Sequence, residues 1–312
     1  MYLPYLRGKQ FELLALRELC PLMSASFQKI SPIIEPVKNT SALINCFKSL
    51  RASDINFNVI VNPEVGDMVA KTGDILSKIG HLLSGYDNFQ FAIIIAQTTD
   101  FDRLFHTFQE LQFPNPRFTY IHNEMAPNIQ SIQADFGTLG STLFNVFNFK
   151  KTSRRYPRAF EQSTRVSLED YFPSLPKNSA YLPQDDSHFS DEYRFYKEEG
   201  YAGFGDFLTI GDQYVDSGRL PWAVAIHISY ADANRNIRIK HFVSDTNDDQ
   251  TDVAGKFAEA NTKLVAWCDT NEINTLAVNK FRDLLKRGHF PGLGTIKKLS
   301  IMNHIELVLG LI

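Results

Sequence analysis

Two hydrophobic rhythms alternate along the first half of the chain. Short runs in which most residues are apolar, "YLPYL", "KISPIIEPV", "FNVIVN", "NFQFAIIIAQ", "RFTYIHNE" and "STLFNVFNF", read as strands. Between them lie segments with apolar residues three and four apart. "KQFELLALRELCPLM" sets Phe11, Leu14, Ala15 and Leu19 on one side; "TSALINCFKSLRAS", "MVAKTGDILSKIGHLLSG", "TDFDRLFHTFQELQ" and the weaker "NIQSIQADFG" repeat the pattern. Strands apolar on both faces, joined by helices, predict a parallel sheet with crossover connections. Two later runs, "GFGDFLTIG" (203–211) and "WAVAIHISY" (222–230), raise the strand count to eight. Eight favours a closed (β/α)8 barrel of the TIM type over a doubly wound open sheet.

The rhythm breaks over 151–200. "KKTSRRYPRAFEQSTR" is basic, and "PSLPKNSAYLPQDDSHFSDEYRFYKEEG" is rich in proline, tyrosine and acids. This predicts a long insertion over one rim of the barrel, ordered by its aromatic residues. "NRNIRIKHFVSD" reads as the hairpin partner of "AVAIHISY", and helices are expected at 251–269, 274–287 and 295–310. The organisation that follows is one barrel domain over 1–312, a rim excursion at 151–200, and C-terminal helices in 251–312 packing on the barrel. In the tail "SIMNHIELVLGLI", the spacing of Ile301, Ile305, Leu307, Val308 and Leu311 predicts an amphipathic docking helix.

Composition adds three points. Twenty-five phenylalanines predict an aromatic-rich core, and a net charge of −3 argues against wholesale nucleic-acid binding while leaving local patches open. Cys20, Cys46 and Cys268 have no metal-type spacing and fall in helical segments, which fits buried thiols of a reducing cytoplasm. The opening "MYLPYLRGKQ" has no apolar signal run, and no stretch of eighteen apolar residues exists. A cytoplasmic protein with no membrane segment is expected.

In a barrel, chemistry sits at the C-terminal strand ends. Alternation in "ISPIIEPV" sets Ser31, Ile33 and Glu35 on the lumen face, and in "AVAIHISY" it sets Ala225, His227 and Ser229 there. Asn62, His122, Asn123, Glu124 and Asn148 close other strands, and Asp206 and Asp212 bracket "DFLTIG". The candidate catalytic set is Glu35, Glu124, Asp206 and His227. The three carboxylates can hold a divalent cation with Asn62 and Asn148 as neutral ligands, or Glu35 or His227 can act as general base. Arg7, Lys9 and Lys38 follow the first two strands and can hold an anion such as phosphate. Against this stands the ordinary reading that strand ends meet water and become polar, and that a lumen histidine is a hydrogen-bonded core residue. "HFPGLGTIKKL" has two glycines before a helix, no third and no leading strand, so it reads as a turn.

"YLPYLRGKQFELLALREL", "ISPIIEPVK", "GFGDFLTIGDQY", "AVAIHISY", "HFVSD" with "AGKFAEA", and "HFPGLGTIKKLSIMNHIEL" resemble a bacterial family related to the phage beta protein. The similarity spans nearly the whole chain and is weakest over 151–190. It implies a place in mobile-element and defence-type gene neighbourhoods, often beside a second small protein, and it carries over no catalytic residue.

Two functions follow as expectations. One is a phage-defence or toxin–antitoxin-like component whose barrel is a scaffold for a protein encoded by the adjacent gene. The other is a barrel enzyme, of hydrolase or phosphodiesterase type, acting on a phosphate-containing substrate such as a nucleotide or nucleic acid. The enzyme reading requires Glu35, Asn62, Glu124, Asp206 and His227 to meet in one pocket; the scaffold reading requires exposed apolar surface on the excursion or terminal helices.

Overall fold

A computed structural model describes residues 1–216, 218 and 220–312. The chain divides into two compact units, Met1–Asp170 with Arg194–Asp206, and Tyr171–Tyr193 with Phe207–Ile312.

The first unit runs β1 (Tyr5–Leu6), α1 (Gln10–Ala25), β2 (Ile33–Ile34), α2 (Ser41–Ala52), β3 (Phe57–Ile60), α3 (Thr72–Leu82), β4 (Phe89–Ile95), α4 (Phe101–Leu111), β5 (Arg117–His122), α5 (Ile129–Gly137), β6 (Ser141–Asn148) and β7 (Arg165–Glu169). The chain then passes through β8 (Asp186–Ser190) of the second unit and the short α6 (Glu192–Phe195), and returns as β9 (Gly203–Asp206). The first-unit strands pair in parallel in the order β1-β2-β3-β4-β5-β6-β7-β9. Tyr2 closes the ring by bridging both Ile30 and Phe204; the Leu3 amide donates to Phe204 O at 2.8 Å and the Phe204 amide to Met1 O at 3.0 Å. The (β/α)8 expectation therefore holds in its strands, while helices of nine residues or more fill only the first five crossovers and the four-residue α6 stands between β7 and β9.

The eighth strand corrects the sequence reading. It is Arg165–Glu169, inside the stretch expected to be a rim excursion, and not 222–230. Three-ten turns at Tyr156–Ala159 and Gln162–Thr164 stand where a helix would precede it.

Register fixes which side chains face the lumen, because Cα partners in a parallel pair share a face. The pairs Tyr5↔Ile33, Ile33↔Asn58, Asn58↔Gln90, Ala92↔Thr119, Ile121↔Val146 and Val146↔Val166 define the lumen face. Its floor is polar: Asn58 Nδ2 donates to Ser31 Oγ at 3.0 Å, and Thr119 Oγ1 donates to Asn58 Oδ1 at 2.7 Å. The aromatic core lies on the other face. Phe57 stacks on Phe47 of α2, and Phe118 packs edge-on against Phe108 of α4 and Phe136 of α5. In α1 the buried side is Leu13, Ala15, Leu16, Leu19, Cys20 and Met23, a stripe turned from the expected one, with Phe11 and Leu14 only half-buried.

The second unit is built on an antiparallel sheet in the order β10-β11-β8, with β10 (Ala225–Ala231) and β11 (Ile237–Val243) forming the expected hairpin. Three helices follow: α7 (Val253–Thr270), α8 (Leu276–Arg287) and α9 (Leu293–Leu311). Trp267 of α7 packs on Tyr230 and Phe242 of one sheet face. Asn303 and His304 of α9 reach Ser229 on the other, at 2.8 Å to its carbonyl and 3.0 Å to its hydroxyl. The helix α9 is buried nearly all round, from Ile296 to Leu309, rather than amphipathic. The three cysteines are buried free thiols. Among the described residues, no helix is long and apolar enough to cross a membrane.

Candidate functional site at the barrel mouth

Three loops meet at the C-terminal ends of β1, β2 and β3, and two glycines let them touch. Gly8, at φ +60°, lies so close that a Cβ would sit 2.6 Å from Glu35 O; Gly66, at φ +83°, would place one 2.5 Å from Val37 O. This packing brings the β1 loop over the end of β2.

Glu35 faces the lumen there, fully buried, with three donors on its carboxylate. Tyr5 OH donates to Oε2 at 2.7 Å, Arg7 Nη1 to Oε2 at 2.5 Å, and the Glu64 amide to Oε1 at 2.9 Å. Burying an ion pair requires the carboxylate's remaining lone pairs to be met, and these three donors meet them. Burial, then the Glu35 charge, push the Tyr5 hydroxyl well above its ordinary pKa, so it stays a donor. With these donors in place, the Glu35 carboxylate ties Tyr5, Arg7 and the Glu64 backbone together.

The network continues through a residue that the sequence reading passed over. The side chain of Glu64, two residues beyond Asn62, is 29% exposed; its Oε2 accepts from Asn123 Nδ2 at 2.6 Å and lies 3.5 Å from Lys151 Nζ. Asn148, buried at the end of β6, donates to Asn123 Oδ1 at 3.0 Å. Asn62 clips β3 to β4, accepting from the Ile94 amide and donating to its carbonyl, both at 2.8 Å. Asn62 and Glu64 line a cleft of about 560 Å³ together with Thr72, Thr99, Asp100 and Arg103. The first turns of α3 and α4 border it. Asp100 uses its carboxylate to cap α4, accepting from the Arg103 amide at 3.0 Å. Glu64 lies past the end of β3, beyond the reach of strand alternation, so periodicity gives its side chain no direction.

Against the β1 loop, Glu12 in the first turn of α1 is buried and accepts from the backbone amides of Arg7 and Lys9. Burial raises its pKa to about 7, against the pull of those amides and of the Lys9 and Arg7 charges. Lys38 is half-buried in the loop after β2.

The other predicted acids do not join this cluster. Asp206 pairs in register with Glu169 and lies on the outer face of the barrel wall, where Tyr2 OH donates to its Oδ1 at 2.9 Å. Glu124 is half-buried just past β5. Among the described residues, no three His, Cys, Asp or Glu side chains gather as a metal site, so the expected carboxylate trio does not assemble. His227 belongs to the second unit, not to a barrel lumen. Its Nδ1 meets His241 Nδ1 at 2.8 Å, and Tyr181 packs on both rings. Burial, then the charge of the partner ring, lower the His227 pKa to about 3; burial lowers His241 to about 4. His122, on the outer face under the 156–160 turn, hydrogen-bonds Asn145 at 3.0 Å, and burial holds it near 4.

No protein-family model and no curated protein matches the chain. Among solved structures it is similar to an N-acetylneuraminate lyase from Mycoplasma synoviae, at 8% identity and a TM-score of 0.37, over 66% of this chain and 68% of that one. The eight-stranded closure described above is independent of that likeness.

Proposed function

We propose that the protein is a barrel enzyme of hydrolase type acting at this mouth on a phosphate-containing substrate such as a nucleotide or nucleic acid. The observation that carries the reading is the position of Glu64: it is a partly exposed carboxylate lining the cleft and held by Asn123 and Lys151. In this reading Glu64 is the general base and Lys151 binds the anion. The Arg7–Glu35 pair holds the loop that delivers the Glu64 amide. A panel of nucleoside phosphates and sugar phosphates tests it by calorimetry and phosphate release. Lys151→Ala is expected to weaken binding, and Glu64→Gln to lower turnover by ~10²–10⁴-fold with binding retained. Absence of binding by every member of the panel sinks the proposal.

A second reading, a scaffold for a protein encoded by the adjacent gene in a phage-defence or toxin–antitoxin-like module, is favoured by one observation. Leu182, within the expected excursion, is more than half exposed, and so are Val215, Leu220 and Trp222, which lie in sequence outside both the excursion and the terminal helices. Co-expression with the adjacent gene product tests it: Trp222→Asp is expected to reduce co-purification, and unchanged recovery removes this support.

A further inference from the structure

The loop after β6 carries Lys150, Lys151, Arg154, Arg155 and Arg158, with no acid between Phe149 and Phe160, in a chain of net charge −3. The loop is firmly anchored. Tyr156 packs 5.4 Å from His122 and 5.7 Å from Phe147, Phe160 packs 5.0 Å from Phe147, and Pro157 is buried. The Ala126 amide donates to Tyr156 OH at 3.3 Å. With the aromatic side turned inward, the basic side is presented to solvent.

Along that side the cations differ in how far they are neutralised. Lys151 reaches Glu64 at the cleft, and Arg154 pairs with Glu169 while lying 4.5 Å over the Phe149 ring. Arg155 and Arg158 are exposed, and neither guanidinium has a hydrogen-bond or ion-pair partner among the described residues. Arg155 has helical backbone angles at the start of the Tyr156–Ala159 three-ten turn. Side chains three apart eclipse in such a turn, so Arg155 and Arg158 share one side. Two like charges held side by side repel, and a row of phosphates relieves that repulsion. The cations follow one another along a single loop, Lys151, Arg154, Arg155 and Arg158, with Lys151 reaching Glu64. Guanidinium groups match phosphate oxygens in a bidentate way.

We infer that this loop is the backbone track for a single-stranded nucleic acid whose terminal nucleotide enters the mouth, so that the mouth takes a nucleotide and the loop holds the strand attached to it. The inference rests on the mouth reading for the fate of that end, and on Arg155 and Arg158 alone for the track. The test uses the full chain and labelled oligothymidylate and oligouridylate of about twelve nucleotides, a length within the usual single-strand site sizes. Anisotropy is followed over a salt series, with a duplex of equal length and a polyglutamate of equal charge as comparisons. Single strands are expected to bind more tightly than either comparison. Arg155→Ala/Arg158→Ala is expected to flatten the slope of log K on log salt by roughly 1.4, two contacts at ~0.7 each. The double variant changes only exposed side chains, and far-UV circular dichroism verifies its fold. Polyglutamate binding as tightly as the oligonucleotide, or an unchanged slope in the double variant, overturns the track. Binding of mononucleotides should be the same in the double variant and the parent. Their failure to bind at all refutes the mouth reading, while salt-dependent oligonucleotide binding through Arg155 and Arg158 would still stand.

Discussion

Removing the Glu35 carboxylate is the sharpest structural test of the mouth. Glu35→Ala takes one acceptor group away from three donors: the Tyr5 hydroxyl, the Arg7 guanidinium and the Glu64 amide. Glu35 is fully buried and the Arg7 side chain is 15% exposed, so the residual cation keeps little water. Breaking a buried pair from one side costs about 3–5 kcal/mol, and the partial exposure of Arg7 puts the expectation at the lower end, about 3 kcal/mol. For a domain of this size each kcal/mol moves the melting temperature by ~2–4 °C, so a fall of about 6–12 °C is expected. Glu35→Gln keeps the volume and one oxygen, and should lose about half as much. Differential scanning calorimetry with far-UV circular dichroism is the suitable assay. Tryptophan fluorescence is not, since Trp222 and Trp267 both lie in the second unit. A melting temperature for Glu35→Ala within about 2 °C of the parent would refute the reasoning, because leaving the buried Arg7 charge without its carboxylate cannot be that cheap.

Two pH dependences of opposite sign follow from buried groups. Glu12 has its pKa raised to about 7 in the fold against an ordinary 4.5, so its contribution is present below pH 4.5 and is lost as pH rises through 7; in urea titrations Glu12→Gln should flatten the decline on the alkaline side. His227 and His241 are lowered from 6.5 to about 3 and about 4, so the unfolded chain binds more protons, and their contribution is present above pH 6.5 and lost as pH falls toward 4. Geometry gives the reason. The Nδ1–Nδ1 contact accommodates one proton, and a second would set two N–H groups against each other. His241→Gln should flatten the acid side of the urea midpoint; an acid side as steep as the parent's counts against the pair.

The strands β1 to β6 were legible because each is an apolar run bounded by helical spacing, and the hairpin of β10 and β11 was legible from its two facing runs. Arg165–Glu169 was not, since five residues flanked by three-ten turns and polar sequence give no periodic signal. The apolar run at 222–230 took its place in the count because an apolar strand looks the same whether its neighbours run parallel or antiparallel. That one substitution moved His227 from a supposed lumen to the second unit. Glu35 was found from alternation within its strand, whereas Asp206 was assigned by its position at a strand end without a register. Its pairing with Glu169 sets it on the outer face.

By itself, then, the sequence determined the β-α rhythm, the aromatic weight of the core, the lumen-facing carboxylate of "ISPIIEPV" and the basic character of the loop after β6. These are local properties, readable from spacing and residue type. Only the tertiary structure decided which eight strands close the ring, which acids share a side of its wall, and that Glu64 rather than Asp206 or His227 stands beside Glu35. Those facts depend on pairing register between segments as much as about two hundred residues apart, such as Tyr2 with Phe204, and no local pattern encodes it.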